Sequence, residues 1–126
     1  MNILVIEDNP SHLKLAHLVL SAAGHKVSGI EAAEEAFNSI RQEKPQVILL
    51  DLELPGMDGL TLVRKLKADP ETRGIHVVVV TSYPDRFTRA QALAAGCDAY
   101  LVKPINTRTL PQTLRDAARS HPDNIS

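Results

Sequence analysis

The chain has 126 residues and a mass of 13.8 kDa with 44% hydrophobic residues, enough to close one core and too short for a second domain. Fourteen basic residues against fifteen acidic ones leave a net charge of −1, and tryptophan is absent, so neither a broad nucleic-acid surface nor a base-stacking platform is indicated. The lone Cys97 excludes an internal disulfide, and the opening MNILVIEDNP holds only four apolar residues in a row, too few for a signal peptide or a membrane span. A cytoplasmic protein in a reducing compartment is expected.

In chain order, short apolar runs alternate with longer helical patterns. A first strand is expected at Asn2–Ile6, running into Glu7 and Asp8. Asn9 is placed to cap a helix over Pro10–Ala23 with Pro10 in its first turn, and Gly24 supplies the left-handed residue after it. Lys26–Ile30 follows as the second strand and Ala32–Glu43 as the second helix. Val47–Leu50 is continuously apolar, as in a strand covered on both faces, and ends at Asp51; the turn Leu54–Gly59, with Pro55 and Gly56, leads to a helix over Leu60–Ala68. His76–Val80 is a second continuous run, ending at Thr81 and Ser82 before a helix over Asp85–Ala95 closed by Gly96. Ala99–Val102 runs into Lys103 and Pro104, Thr107–Arg119 makes the last helix, and 121–126 reads as a flexible tail behind a domain over 1–120.

Five strand–helix units with right-handed crossovers put helices on both faces of a parallel sheet, giving a doubly wound three-layer (βα)5 sandwich of the α/β class. In such a sheet the carboxyl ends of the strands open onto a crevice. Glu7, Asp8, Asp51, Thr81 and Lys103 all fall at those ends. Three carboxylates in one crevice repel one another and call for a cation, and oxygen ligands with room for water suit Mg²⁺. Asp51 can also act as a nucleophile toward a phosphoryl group, with Thr81 to hydrogen-bond one of its oxygens and Lys103 to neutralise another.

This constellation, Glu7-Asp8, Asp51, Thr81-Ser82 and Lys103-Pro104 together with LPGMDG and AAGCDAYLVKP, resembles the receiver domain of two-component response regulators over residues 2–119. The resemblance implies a flavodoxin-like parallel five-stranded sheet of order 2-1-3-4-5. It implies that Asp51 accepts a phosphoryl group from a phosphohistidine on a histidine kinase or histidine phosphotransfer protein. Mg²⁺ would be held directly by Asp8 and Asp51, through water by Glu7, and by the backbone carbonyl of Glu53. Thr81 and Lys103 would contact the phosphoryl group, and the Lys103–Pro104 peptide would be cis. Thr81 would then move toward the phosphoryl group and Tyr100 turn inward, changing the surface of the fourth helix, fifth strand and fifth helix for a downstream protein target. Direct binding to nucleic acid or membrane is not expected, and the only catalysis expected is the chain's own phosphotransfer and dephosphorylation.

Glu53, two residues after Asp51, and Tyr83, two after Thr81, are expected to flank the path of water to the aspartyl-phosphate and to tune its lifetime. The first helix carries leucines around more than one face; Leu13, His17 and Leu20 are candidates for docking the helical bundle that bears the donor histidine, with packing against neighbouring helices the equal alternative. The histidines at 12, 17, 25, 76 and 121 have no metal-ligand spacing, and none is read as a phosphodonor.

Three other readings compete. A phosphatase of the haloacid dehalogenase type also uses an aspartyl nucleophile after a strand, but its second acid is represented here by Glu53 and the length leaves no cap domain. A flavodoxin-type cofactor binder would need a phosphate-cradling loop where the acidic EDNP stands. A docking module would be phosphorylated only incidentally. With no output segment after Arg119, a stand-alone receiver or a module excised from a longer protein is expected.

Overall fold

The computed structural model describes residues 1–119; the tail expected at 121–126 lies outside the described residues. The elements run β1 Asn2–Ile6, α1 Pro10–Ala22, β2 Lys26–Ile30, a 3₁₀ turn Ala33–Glu35 leading into α2 Ala36–Gln42, β3 Val47–Asp51, α3 Gly59–Ala68, β4 His76–Thr81, α4 Arg89–Ala95, β5 Ala99–Val102 and α5 Leu110–Arg119. All strand pairs are parallel and the sheet order is β2-β1-β3-β4-β5, the expected 2-1-3-4-5. No helix among the described residues is long and apolar enough to cross a membrane.

The period-2 alternation of the inner strands divides the core into two layers. Ile3, Val5, Leu49, Val78 and Val80 face α1 and α5, where Ala16, Leu20, Leu110 and Leu114 meet them. Leu4, Ile6, Ile48, Leu50, Val77 and Val79 face the other way and pack with Ile40 of α2, Leu62 and Leu66 of α3 and Ala92 of α4. Every residue of β3 is buried, which is why that run reads as continuously apolar until it reaches its acid.

Strand limits differ from expectation only at the carboxyl ends, where Asp51 and Thr81 join the ladder as the final residues of β3 and β4. Helix starts differ more. The fourth helix begins at Arg89, not Asp85, because Thr88 and Gln91 form a reciprocal capping box and the amides of Arg86 and Phe87 turn back onto the Tyr83 carbonyl. The fifth begins at Leu110, not Thr107, since Asn106 gathers the amides of Arg108, Thr109 and Leu110 into a preceding turn. The second opens as a 3₁₀ turn, with no side chain capping it.

Two glycines bear on the crevice and its support. Gly59, read as a turn residue, is the first residue of α3, and a Cβ there would stand 2.7 Å from the Leu52 Cα; its absence lets α3 close against the backbone just after Asp51. Gly96 ends α4 in the left-handed region at φ 110°, with Lys67 Cγ 2.8 Å from where a Cβ would stand.

Candidate functional site

β1, β3 and β5 end on the charged part of the rim. Glu7 and Asp51 are each 5% exposed, whereas Asp8 lies open to solvent. One carboxylate oxygen from each of the three falls within 4.8 Å of the others. Lys103, directly after β5, sends its ammonium between them: Nζ donates to Glu7 Oε1 at 2.7 Å and to Asp51 Oδ2 at 3.1 Å. The Lys103–Pro104 peptide is cis.

Burial drives the Glu7 carboxyl up to about 7, and its neighbour Asp51 pushes the same way against the pull of Lys103. For Asp51 burial also pushes upward, but hydrogen bonding with Glu7, the Glu53 amide and Lys103 outweighs it and holds the carboxyl below its ordinary value. Burial likewise opposes the Lys103 charge, and its two carboxylate partners overcome that and raise its pKa. Two buried acids served by one ammonium, beside a third acid open to water, form an all-oxygen donor set that fits a hard divalent cation.

The reading from sequence passed over His12. It sits in the first turn of α1, where Asn9 accepts from the amides of Ser11 and His12. Its Nδ1 lies 3.2 Å from Lys103 Nζ and 3.6 Å from Glu7 Oε1, so it is the third partner of the ammonium. The available signal was its place four residues after Asp8, on the turn of α1 that faces the crevice, rather than any spacing to another histidine.

β4 supplies a different kind of rim. Thr81, fully buried, donates its hydroxyl proton to Glu53 Oε2 at 2.6 Å and accepts from the Tyr83 amide at 2.9 Å. The Ser82 amide donates to the other Glu53 oxygen at 2.7 Å. The Glu53 amide in turn donates to Asp51 Oδ1 at 2.9 Å, tying the two halves of the rim together. Tyr83 itself is 56% exposed. Tyr100 is already turned inward: its ring is buried, its hydroxyl donates to the Phe87 carbonyl, and the Arg89 guanidinium lies 5.2 Å from the ring centroid.

On α1 the expectation for Leu20 needs correction. Leu20 is fully buried, and Leu13 packs inward against β2, its Cδ1 lying 2.8 Å from where a Cβ of Gly29 would be. With Ala16 and Leu20 four apart facing the sheet, the outward leucines are Leu15 and Leu18, at 48% and 57% exposure, beside the exposed His17. Leu15 also lines an apolar groove of about 370 Å³ with Val19, Pro104 and Ile105, bordered by Lys103 and His12.

Fold and rim together define a doubly wound α/β protein with an acid cluster and a lysine at the carboxyl edge of its sheet. Residues 3–115 match the response regulator receiver domain, and the chain belongs to that family, whose setting is two-component signalling. It is 38% identical over 117 residues to the response regulator PleD of Caulobacter vibrioides, covering 93% of this chain but only 26% of PleD, so it spans about a quarter of that relative's length. It is 31% identical over 114 residues to the polar-differentiation response regulator DivK of Brucella ovis, covering 90% of this chain and 93% of DivK. Among solved structures, a CheY-like receiver domain protein from Methanospirillum hungatei superimposes with a TM-score of 0.85 at 29% identity, covering 94% of this chain and 93% of that one. The receiver domain of a sensor histidine kinase from Pseudomonas aeruginosa, which holds a magnesium ion in its active-site cleft, does so with a TM-score of 0.84 at 28% identity, covering 94% and 98%.

Proposed function

We propose that the protein is a cytoplasmic phosphoacceptor switch in which Asp51 receives the phosphoryl group of a phosphohistidine. The observation that carries this reading is the Asp51 carboxylate itself: buried at a strand end, held below its ordinary pKa and therefore ionised, and flanked by Lys103 on Oδ2 and the Glu53 amide on Oδ1. In the transfer, an Asp51 oxygen attacks phosphorus as the N–P bond breaks. The donor imidazole leaves with that electron pair, neutral because its other nitrogen keeps a proton.

Glu7, Asp8 and Asp51, with the Glu53 carbonyl, would hold Mg²⁺, which when bound supplies positive charge for the phosphoryl oxygens. Lys103 adds a second positive charge at the same place, and His12 keeps its ammonium oriented. Thr81 serves the phosphoryl group from the β4 side, and Tyr83 stands beside the water path. Thr81 and Tyr100 pass the change to α4, β5 and α5, where Leu93 and Val102 are exposed for a protein target. Tyr100 already stands inward with its hydroxyl on the Phe87 carbonyl, which supports reading the switch as a shift in its population rather than a complete swing. The chain turns over no free substrate beyond its own phosphotransfer and dephosphorylation. A haloacid dehalogenase-type mechanism is disfavoured because both oxygens of the second acid, Glu53, accept hydrogen bonds in the resting protein, from Thr81 and the Ser82 amide, the arrangement of an acceptor rather than of a proton donor.

Incubation with Mg²⁺ and acetyl phosphate followed by intact-mass measurement tests the reading. Wild type gains a phosphoryl adduct of ~80 Da and Asp51→Asn does not. Steady release of phosphate from unrelated esters would instead favour the phosphatase reading.

A further inference from the structure

The two donors that β4 presents to the crevice are both already in use. Thr81 has one hydroxyl proton and donates it to Glu53 Oε2, with the oxygens 2.6 Å apart; the Ser82 amide has one proton and donates it to Glu53 Oε1, with nitrogen and oxygen 2.7 Å apart. Both distances are in the short range of charge-assisted hydrogen bonds. The Tyr83 amide, donating to Thr81 Oγ1 at 2.9 Å, helps keep the hydroxyl in that setting. An anionic group with two oxygens thus bridges the pair of donors in the way two oxygens of a phosphoryl group would. The anion is tethered two residues from Asp51, with its own amide on the Asp51 carboxylate.

We propose that the Glu53 carboxylate is a built-in competitor for the phosphoryl group: it occupies Thr81 and Ser82 in the resting protein and must leave before they can serve a group on Asp51. Three physical points favour displacement over sharing. The Thr81 hydroxyl cannot donate to two acceptors in full strength at once. The phosphoryl group and the carboxylate carry the same sign at close range. Among the described residues no basic side chain forms an ion pair with Glu53; the two β4 donors hold its carboxylate, so on losing them it moves to solvent at the rim. Glu53 is therefore a positioning residue that acts through Thr81 and Ser82 and makes occupation of Asp51 less favourable than the acids and Lys103 alone would allow. This differs from a part in the water path, because it acts on binding of the group rather than on its hydrolysis. It rests on Asp51 being the phosphoacceptor.

The test uses beryllium trifluoride at saturating Mg²⁺. The Asp51 oxygen replaces the water on beryllium and completes its four ligands, leaving three fluorines where phosphoryl oxygens would stand. Affinity is read by titration of wild type, Glu53→Ala, Glu53→Gln and Asp51→Asn, with the Ser82 amide proton followed by NMR. Glu53→Ala binds about tenfold tighter than wild type, the size expected for releasing two charge-assisted bonds partly replaced by water. Glu53→Gln falls between, having lost the charge but kept one acceptor oxygen. Before any beryllium is added, the Ser82 amide proton of Glu53→Ala lies upfield of wild type. In a Thr81→Ala background the gain from Glu53→Ala shrinks, since one of the two contested donors is gone; a merely structural Glu53 would give no such coupling. Equal or weaker binding by Glu53→Ala, with wild type binding and Asp51→Asn not, overturns the competition and leaves the phosphoacceptor reading standing. Binding that survives Asp51→Asn, or is absent from wild type, overturns that reading and this proposal together.

Discussion

The two halves of the rim solve opposite problems. On the β1, β3 and β5 side the difficulty is buried acid beside like charge: Glu7, Asp8 and Asp51 each bring an oxygen within 4.8 Å of the others, and burial, with Asp51 beside it, still holds Glu7 up to about 7 despite Lys103. On the β4 side nothing is in excess; Thr81, Ser82 and Glu53 satisfy one another, with distances of 2.6 and 2.7 Å. The first half offers an all-oxygen donor set that fits a cation. The second is complete and has to be opened. A switch needs both conditions, because a site wanting on every side would fill with any ion, and one complete on every side would not respond.

Breaking the charged half should have the largest consequence. Lys103→Met leaves Glu7 and Asp51 without their ammonium, and the metal-free protein should lose about 1–3 kcal/mol of stability in chemical denaturation, the cost of stranding buried charge-assisted partners. Added Mg²⁺ should recover more stability in this variant than in wild type, because the ion takes over the missing charge. Equal recovery would mean that the acids do not share a cation.

The same half should be sensitive to pH. Glu7 is protonated in much of the metal-free population below about 7, and a carboxylate has to be ionised to help hold a metal, so Mg²⁺ affinity should rise as pH increases through about 7. Calorimetric titration at pH 6 and pH 8 checks the sign, and Glu7→Gln should flatten the dependence. A flat profile in wild type would put Glu7 outside the cation site.

Smaller effects sharpen the contrast from the other side. Tyr100→Phe removes the hydroxyl that donates to the Phe87 carbonyl and should cost about 1–2 kcal/mol of stability while leaving adduct formation on Asp51 intact. Loss of the adduct in that variant would tie Tyr100 to the chemistry rather than to its readout. His12→Ala should change beryllium trifluoride affinity within about threefold, since half of the His12 side chain is exposed and Lys103 keeps two stronger partners. A much larger loss would place His12 in the machinery itself.

The residues on the rim could be read in advance because a buried strand has to stop somewhere, and in this chain two continuous apolar runs stop on Asp51 and Thr81. Strand ends advertise themselves by a change of polarity. Helix starts at Arg89 and Leu110 did not, because the deciding features are a reciprocal pair between Thr88 and Gln91 and a turn gathered by Asn106, while Asp85 and Thr107 look equally fit to begin a helix. Side-chain direction was the least legible. Leu20 and Leu18 are both leucines of one helix, and only its phase against the sheet buries the first and exposes the second. The position of Glu53 two residues after Asp51 is visible in the sequence, but its hold on Thr81 and Ser82 crosses from the loop after β3 to the end of β4, between residues 28 and 29 positions apart.

The central claim is that one carboxylate, Asp51, takes the phosphoryl group. Borohydride reduces an acyl phosphate to the alcohol, so treating the Mg²⁺ and acetyl phosphate product with it and mapping peptides by mass spectrometry locates the acceptor. The account predicts homoserine at position 51 and unmodified acids at positions 7, 8 and 53. Reduction at one of those three instead, or at none of the four in a protein that carries the adduct, would contradict it.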